Sequence, residues 1–411
     1  MVEKSAYDEA ATSGLYEKPT SLQGKYDNVR RFWEDEVICS FLGPYLERLV
    51  ARWHKLRILD IGCGSGDGYE MLLSVTRRNV GFSQPDCKLL TPQLLDSYKG
   101  IDLNQNLIAQ ADAIYGGLGN VSFQVADFND FASVVGKDPP YDLYFATYGT
   151  FSHNSAEQTI NLLSRIARHG RDGSIIVCDW LGRYCYEWQT LWTDDLGQVK
   201  TIDYVISYIY SQEDRKADLS SFPLHLLCKQ EVLAILEESS KAAGVEIELR
   251  ELFDRSIFVG RHTDTKQYNP HCQPLRQTLN YLLEPNIRTD LATLLINYVP
   301  KEGFSELNGF YGRLAQGWNS LVTYAMELLD DLDRGGKGTP PPVAEAQPQV
   351  LRQVMQDMER IAKTAADLKV VGPRASIIEP QLAYRLRQLE MDMQEARGCG
   401  HGLVAILELH K

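Results

Sequence analysis

Arg57-Ile58-Leu59-Asp60-Ile61-Gly62-Cys63-Gly64-Ser65-Gly66-Asp67-Gly68-Tyr69-Glu70 changes character twice. Ile58 to Ile61 is a short apolar run, which reads as a buried strand. Glycine then stands at every second position from Gly62 to Gly68. A helix-forming run, Tyr69-Glu70-Met71-Leu72-Leu73, follows. The pattern is strand, tight turn, helix. Glycines in such a turn allow positive φ and let the backbone come close to a ligand. The helix start adds free N–H groups and the positive end of a dipole.

The rest of the chain limits what that turn can serve. It has 411 residues, a formal net charge of -13, 44% hydrophobic residues and 10% aromatic ones. That length suggests two or three domains with enough apolar mass for a sizeable core. Net acidity argues against a nucleic-acid partner, since phosphate binding needs a basic surface. No run of about 18 apolar residues is present, so no membrane span is expected. Met1 to Glu9 lacks the apolar region of a signal peptide. The eight cysteines form no C-x-x-C pair, and no cysteine–histidine spacing resembles a zinc site. Free thiols, a cytoplasmic location and no metal are the expectations.

Strand and helix patterns alternate downstream. Tyr98 to Asn104 reads as a strand ending near Asp102, before an amphipathic helix with Leu107, Ile108, Ala111 and Ile114. Val121 to Phe128 reads as a third strand and Tyr141 to Ala146 as a fourth. Asp172-Gly173 turns into a fifth, Ser174 to Trp180. Three acids, Asp60, Asp102 and Asp127, thus fall at or near the ends of three successive strands. In an open α/β sheet, ligands bind outside those ends.

Asp60, Gly62, Gly64 and Gly66 fit [D/E]-x-G-x-G-x-G without a gap. This resembles motif I of the class I S-adenosylmethionine-dependent methyltransferases. The rival dinucleotide fingerprint G-x-G-x-x-G fits poorly, because Tyr69 or Asp67 stands where its third glycine belongs. The resemblance implies a Rossmann-like, seven-stranded, mostly parallel sheet flanked by helices. It also implies S-adenosyl-L-methionine as cofactor, with Cys63 inside the motif. Asp102, with Leu103 beside it, corresponds to the ribose-binding acid; its other reading is a helix N-cap. Asp127-Phe128 resembles the adenine site, the acid taking the exocyclic amine and the neighbour packing on the ring. Tyr26 and Arg31 lie in an N-terminal helical lid, residues 1–50, or else are packing and solvated residues. Thr147 to Asn154, after the fourth strand, faces the transferred methyl group. Asp138-Pro139-Pro140-Tyr141 matches a motif of base-modifying enzymes but precedes the strand instead of following it, so it reads as loop punctuation.

His153 is the first candidate for a general base, since it titrates near neutrality at a strand end, with Tyr148 or His262 behind it. His153 also reads as a loop residue beside the next helix. Ser152 reads as a substrate contact or a helix cap. The insertion at about 183–225 is aromatic, and Trp188 and Tyr208 line a substrate pocket or fill a subdomain core. Val245 to Leu249 and Ser256 to His262 read as a final hairpin, which completes the core near residue 265. Arg261 and His262, with Arg276 beyond, line the substrate opening or pair with acids.

Residues 266–411 are mainly helical, with a linker at about 334–348, two amphipathic helices and a terminal strand that adds to a sheet edge or pairs within the tail. The helices form a domain core, or a homodimer surface. The expectation is an enzyme that moves a methyl group to an O, N or C atom of a small-molecule metabolite. A non-catalytic scaffold and an NAD(P)-dependent oxidoreductase are the alternatives.

Overall fold

The computed structural model describes residues 6–12, 22, 24–77, 88–206, 221–261, 266, 268–335 and 348–411. Its elements are α1 (Ala6–Thr12), α2 (Asp35–Trp53), β1 (Leu56–Ile61), α3 (Asp67–Ser74), β2 (Leu95–Asp102), α4 (Gln105–Tyr115), β3 (Val121–Val125), α5 (Phe131–Val135), β4 (Leu143–Phe145), α6 (Ala156–His169), β5 (Ile175–Gly182), β6 (Thr201–Val205), β7 (Ser221–Leu227), α7 (Lys229–Ala243), β8 (Glu246–Arg255), α8 (Leu275–Leu282), α9 (Ser305–Asp333), α10 (Gln349–Asp367), α11 (Glu379–Met393) and β9 (Gly402–His410). No helix among the described residues is long and apolar enough to cross a membrane.

β3, β2, β1, β4 and β5 lie side by side in that order, all parallel. The chain winds outward from β1 in both directions, which opens a crevice beyond the carboxyl ends of β1 and β4. Alternation buries both faces of the sheet. Ile58 joins the core beneath α2 and α3, with Leu46 and Leu72. Leu59 and Ile61 join the opposite core with Leu163 and Ile166 of α6 and Val232 of α7. Strands covered on both faces read as continuous apolar runs, as β1 and β5 do.

The sheet does not close where the sequence pattern suggests. Residues 256–261 are not a strand. Ser256 is left-handed at φ 59, and the N–H groups of Ile257 and Phe258 donate to the buried Glu390 carboxylate at 3.2 and 2.7 Å instead of to a neighbouring strand. The seventh position belongs to β9. It runs antiparallel along β5, with Ile175 opposite Glu408 and Leu181 opposite Gly402. β8 pairs antiparallel with the other edge of β9. The terminal strand is therefore an interior strand, not an edge or a tail hairpin. Its neighbour along the sheet, β8, ends at Arg255, far back in sequence.

Between β8 and β9 the chain inserts α8 to α11. Leu314, Trp318 and Leu321 of α9, Val354 and Met358 of α10, and Leu382 and Leu386 of α11 share one core. The apolar faces of α10 and α11 are thus used within the chain. α8 stops at Leu282, ahead of Pro285, which cannot continue a helix. Val29 and Trp33, ahead of α2, enter the same core, with Trp33 6.0 Å from Trp318 between ring centroids. The N-terminal segment is anchored on the inserted helices.

β7 pairs with the tip of β5, at Leu181 and Gly182, on the edge that β4 occupies lower down. The β6–β7 hairpin therefore stands beyond the carboxyl end of β4. Since β9 is interior, a chain ending at residue 401 should lose its cooperative thermal transition by circular dichroism; an unchanged transition would contradict this topology.

Candidate functional site

The glycine turn after β1 is left-handed at Gly62, Gly64 and Gly66, with φ of 70, 55 and 90. At Gly62 a Cβ would fall 2.7 Å from the Thr150 side chain, so space as well as φ demands glycine there. A Cβ at Gly64 would face Lys25 Nζ at 3.2 Å. Cys63 is buried, its Sγ 3.6 Å from the Gly64 carbonyl. Asp60 is buried under the turn and accepts a hydrogen bond from the Tyr98 hydroxyl. Burial pushes its pKa up to about 7.

Asp102 ties the turn to the next strand. One oxygen accepts the Gly64 N–H at 2.9 Å and the other the Asn104 N–H at 2.8 Å. It is not the cap of α4. Asn104 is, accepting from the N–H groups of Asn106 and Leu107. Leu103 stands 64% exposed beside it. Asp127 is exposed at the end of β3 and accepts the Asn129 N–H at 2.8 Å. Phe128 departs from expectation. It is buried with Ile61, Ile101 and Phe131, so its ring is core and not an adenine platform.

A network of buried charge closes the crevice at its β4–β5 end. Lys25 pairs with Asp67, and Arg30 with Asp35 at 2.9 Å and Asp67 at 3.7 Å. Arg255, Arg261 and Arg276 converge on Glu34 at 3.2–3.3 Å. Arg276 also holds Asp27 at 2.6 Å, and Arg255 holds Asp179 at 3.0 Å. Burial works to raise the pKa of Glu34, but Arg276, Arg261, Arg255 and Arg30 overcome it and hold the group well below the usual carboxylate range. Asp179 Oδ1 and Arg255 Nε are buried without a hydrogen-bond partner among the described residues.

Tyr148 sits at the centre. Its backbone is left-handed at φ 60, and its N–H donates to Asp179 at 2.6 Å. For a bulky residue that conformation is strained, a feature that clusters at functional sites. Arg30 lies over its ring 3.1 Å from the centroid, with Arg255 at 4.4 Å. The phenol donates to Asp35, and burial raises its pKa well above the ordinary value. The phenol proton is engaged by Asp35.

His153 takes a different setting. Its ring stacks on Phe222 of β7 at 5.5 Å and its Nε2 lies 3.4 Å from the Tyr7 hydroxyl of α1. His153 is nevertheless exposed, and these neighbours act only to lower its pKa. α1 itself rests on α4 through Asp8, which accepts from Asn104 and Asn106 at 2.9 and 3.0 Å.

The remaining expected residues divide. Thr147 is half-buried, its carbonyl accepting from Thr150 at 2.8 Å. Tyr26 is half-buried with Lys25 at 5.6 Å and Arg30 at 6.0 Å from its ring. Arg31 is exposed beside Phe32, and its neighbour Arg30 is the buried one. Ser152 is structural: buried, it accepts the Leu181 N–H at 2.8 Å. Trp188 is core, its indole N–H donating to Gly182 at 2.8 Å. Arg261 is spent on Glu34 and on the edge of the Tyr148 cluster. Tyr208 and His262 lie outside the described residues. Sequence reasoning missed Lys25, Arg30, Glu34 and Arg255; the density of charge in residues 25–36 signalled the first three, and nothing local signalled Arg255.

Replacing the centre of this network tests its cost. Glu34→Gln leaves buried guanidiniums uncompensated and should destabilise the chain by about 3–5 kcal/mol in urea unfolding. Because the native carboxylate is held below the unfolded value of 4.5, its stabilisation is present above pH 4.5 and is lost as pH falls below it. The variant should flatten that acid limb; a stability within about 1 kcal/mol of wild type, as for a surface substitution, would contradict the network.

No family model and no curated protein sequence matches the chain. Solved structures do. An S-adenosylmethionine-dependent methyltransferase from Clostridium acetobutylicum is 10% identical, covering 56% of this chain and 90% of its own, at a TM-score of 0.34. CalS10, an amino pentose methyltransferase from Micromonospora echinaspora, is 16% identical, covering 61% and 93%, at 0.32. The CcbJ methyltransferase from Streptomyces caelestis is 13% identical, covering 55% and 86%, at 0.35. At such scores the strand order, the antiparallel β8–β9 pair and the glycine turn of this chain are what identify the fold. It is an open Rossmann-like α/β fold with an antiparallel pair beyond β5.

Proposed function

We propose that the chain binds S-adenosylmethionine in the crevice outside β1, β2 and β4 and transfers its methyl group to a small polar molecule. The observation that carries this is Asp102, whose carboxylate is fixed by the Gly64 and Asn104 amides at the mouth of a left-handed glycine turn. The residues suit the group. Asp102 supplies acceptors for a ribose diol, Asp127 an exposed acceptor for the adenine amine, and the glycines a backbone with no side chain in the way. Lys25, beside Gly64, is the cation placed for the methionine carboxylate. The bound cofactor supplies a methyl group made electrophilic by its sulfonium.

The chain's own work is positioning and proton handling. The anchored N-terminal segment and the β6–β7 hairpin flank the crevice and exclude water. Holding acceptor and methyl carbon in line can supply up to roughly 7–11 kcal/mol of the barrier. Asp179 Oδ1 and Arg255 Nε, without a hydrogen-bond partner among the described residues, suit an acceptor molecule with a polar group of its own. Neutral His153 can take a proton from an O–H, N–H or C–H acceptor.

Calorimetric titration tests the cofactor. The chain should bind S-adenosylmethionine and S-adenosylhomocysteine and give no heat with NADH. Each hydrogen bond to a charged group is worth about 1.5–3 kcal/mol, so Asp102→Ala should weaken both by about tenfold or more. Heat from NADH alone would overturn the reading. With an acceptor in hand, His153→Ala should lower turnover by roughly 100-fold or more and leave cofactor affinity unchanged. Near-normal turnover in His153→Ala would remove His153 from the reaction.

A further inference from the structure

Beyond the crevice, Cys185, Glu187 and His401 bring a thiol, a carboxylate and an imidazole together in a fully buried place, their ligand atoms all within 4.8 Å of one another. Cys185 and Glu187 are near neighbours in the chain; His401 arrives from the loop that leads into β9. We propose that these three side chains bind a divalent ion of the zinc class. The proposal stands apart from methyl transfer and concerns a different set of residues.

The ligand set selects the ion. A thiolate disfavours magnesium and calcium, and imidazole with thiolate suits zinc. Three protein ligands of these types occupy all but one position of a tetrahedral zinc ion. On binding, Cys185 releases its proton, and the resulting thiolate with the Glu187 carboxylate neutralises the charge of the ion, which a buried site requires. His401 Nδ1 and Glu187 Oε2 share a hydrogen bond at 2.5 Å, which an ion replaces by opening the pair to about 3.3 Å; Nε2 lies 3.3 Å from the Tyr204 hydroxyl, an outer partner for the ring.

The surrounding backbone is built around these groups. The indole N–H groups of Trp188 and Trp192 donate to Gly182 and Cys185 at 2.8 and 2.9 Å, which pins the segment carrying Cys185 and Glu187. Asp254 accepts the N–H groups of Gly398 and Gly400 at 3.0 Å, and the His401 N–H donates to the Ser256 carbonyl at 2.8 Å. Gly260 gives the Glu187 carboxylate its seat, since any Cβ there would overlap it. An ion at this point joins the end of β5 to the start of β9 and closes a loop of 214 residues. By contrast Glu248, Glu408 and His410, also near one another, are half-exposed and already paired with Arg48 and Arg250.

The rival is a proton shared between Glu187 and His401, and one titration separates the two. The purified full chain, stripped with a chelator, is titrated with Co²⁺ and followed by absorbance. A thiolate-to-cobalt charge-transfer band that saturates at one equivalent, is displaced by Zn²⁺ and is lost in Cys185→Ser supports the site. Tyr204→Phe should weaken Co²⁺ binding by about 10–100-fold. No band in the wild-type chain, or a band that survives in folded Cys185→Ser, overturns it. Should Cys185→Ser not fold, X-ray absorption of the zinc-loaded wild-type chain decides. One sulfur with nitrogen and oxygen neighbours supports the site, and any other shell overturns it.

Discussion

A single buried carboxylate holds three parts of this molecule in register. Glu34 comes from the segment ahead of α2, Arg255 from the end of β8, and Arg261 and Arg276 from the inserted region. Each charge would be costly alone in the interior, and removing one partner of such a set is penalised far more than the set itself contributes. The constraint is therefore mutual. The N-terminal segment cannot leave without stranding arginines, and the inserted helices cannot shift without stranding Glu34. Apolar packing of Val29 and Trp33 in the helical core acts in the same direction.

That constraint shapes the crevice. Lys25 and Arg30 are carried to the glycine turn because Glu34 and Asp27, on the same segment, are fixed elsewhere. Tyr148 is held in a left-handed conformation between Arg30, Arg255 and Asp179. The chemistry proposed for the site follows from this division. The glycine turn after β1 and the acids at the ends of β2 and β3 address the cofactor, and the charged end near β4 and β5 addresses the acceptor.

What could be read from the sequence was what local rules encode. The strand–turn–helix at Ile58 to Leu73 follows from apolar runs and left-handed glycines, and Asp102 follows from its place at a strand end. Non-local choices were not legible. Ser256 to Phe258 has strand character, yet its amides go to Glu390, 132 residues or more away. β9 looks like a tail strand until its partners are known, since nothing local says that β5 and β8 wait on either side. Arg31 and Arg30 differ by one position on a helical turn, and only packing against Tyr148 decides which is buried. Phe128 is apolar beside an acid, a pattern that fits a ligand face and a core equally. Cys185, Glu187 and His401 have no metal-binding spacing because the fold, not the chain order, assembles them.

The most direct test is the structure of the chain crystallised with S-adenosylhomocysteine. The account predicts the nucleoside outside β1 and β2, the ribose hydroxyls on Asp102 and the amino-acid end beside the glycine turn and Lys25. A ligand bound elsewhere, or an Asp102 carboxylate that keeps only its Gly64 and Asn104 amides in the complex, would contradict it.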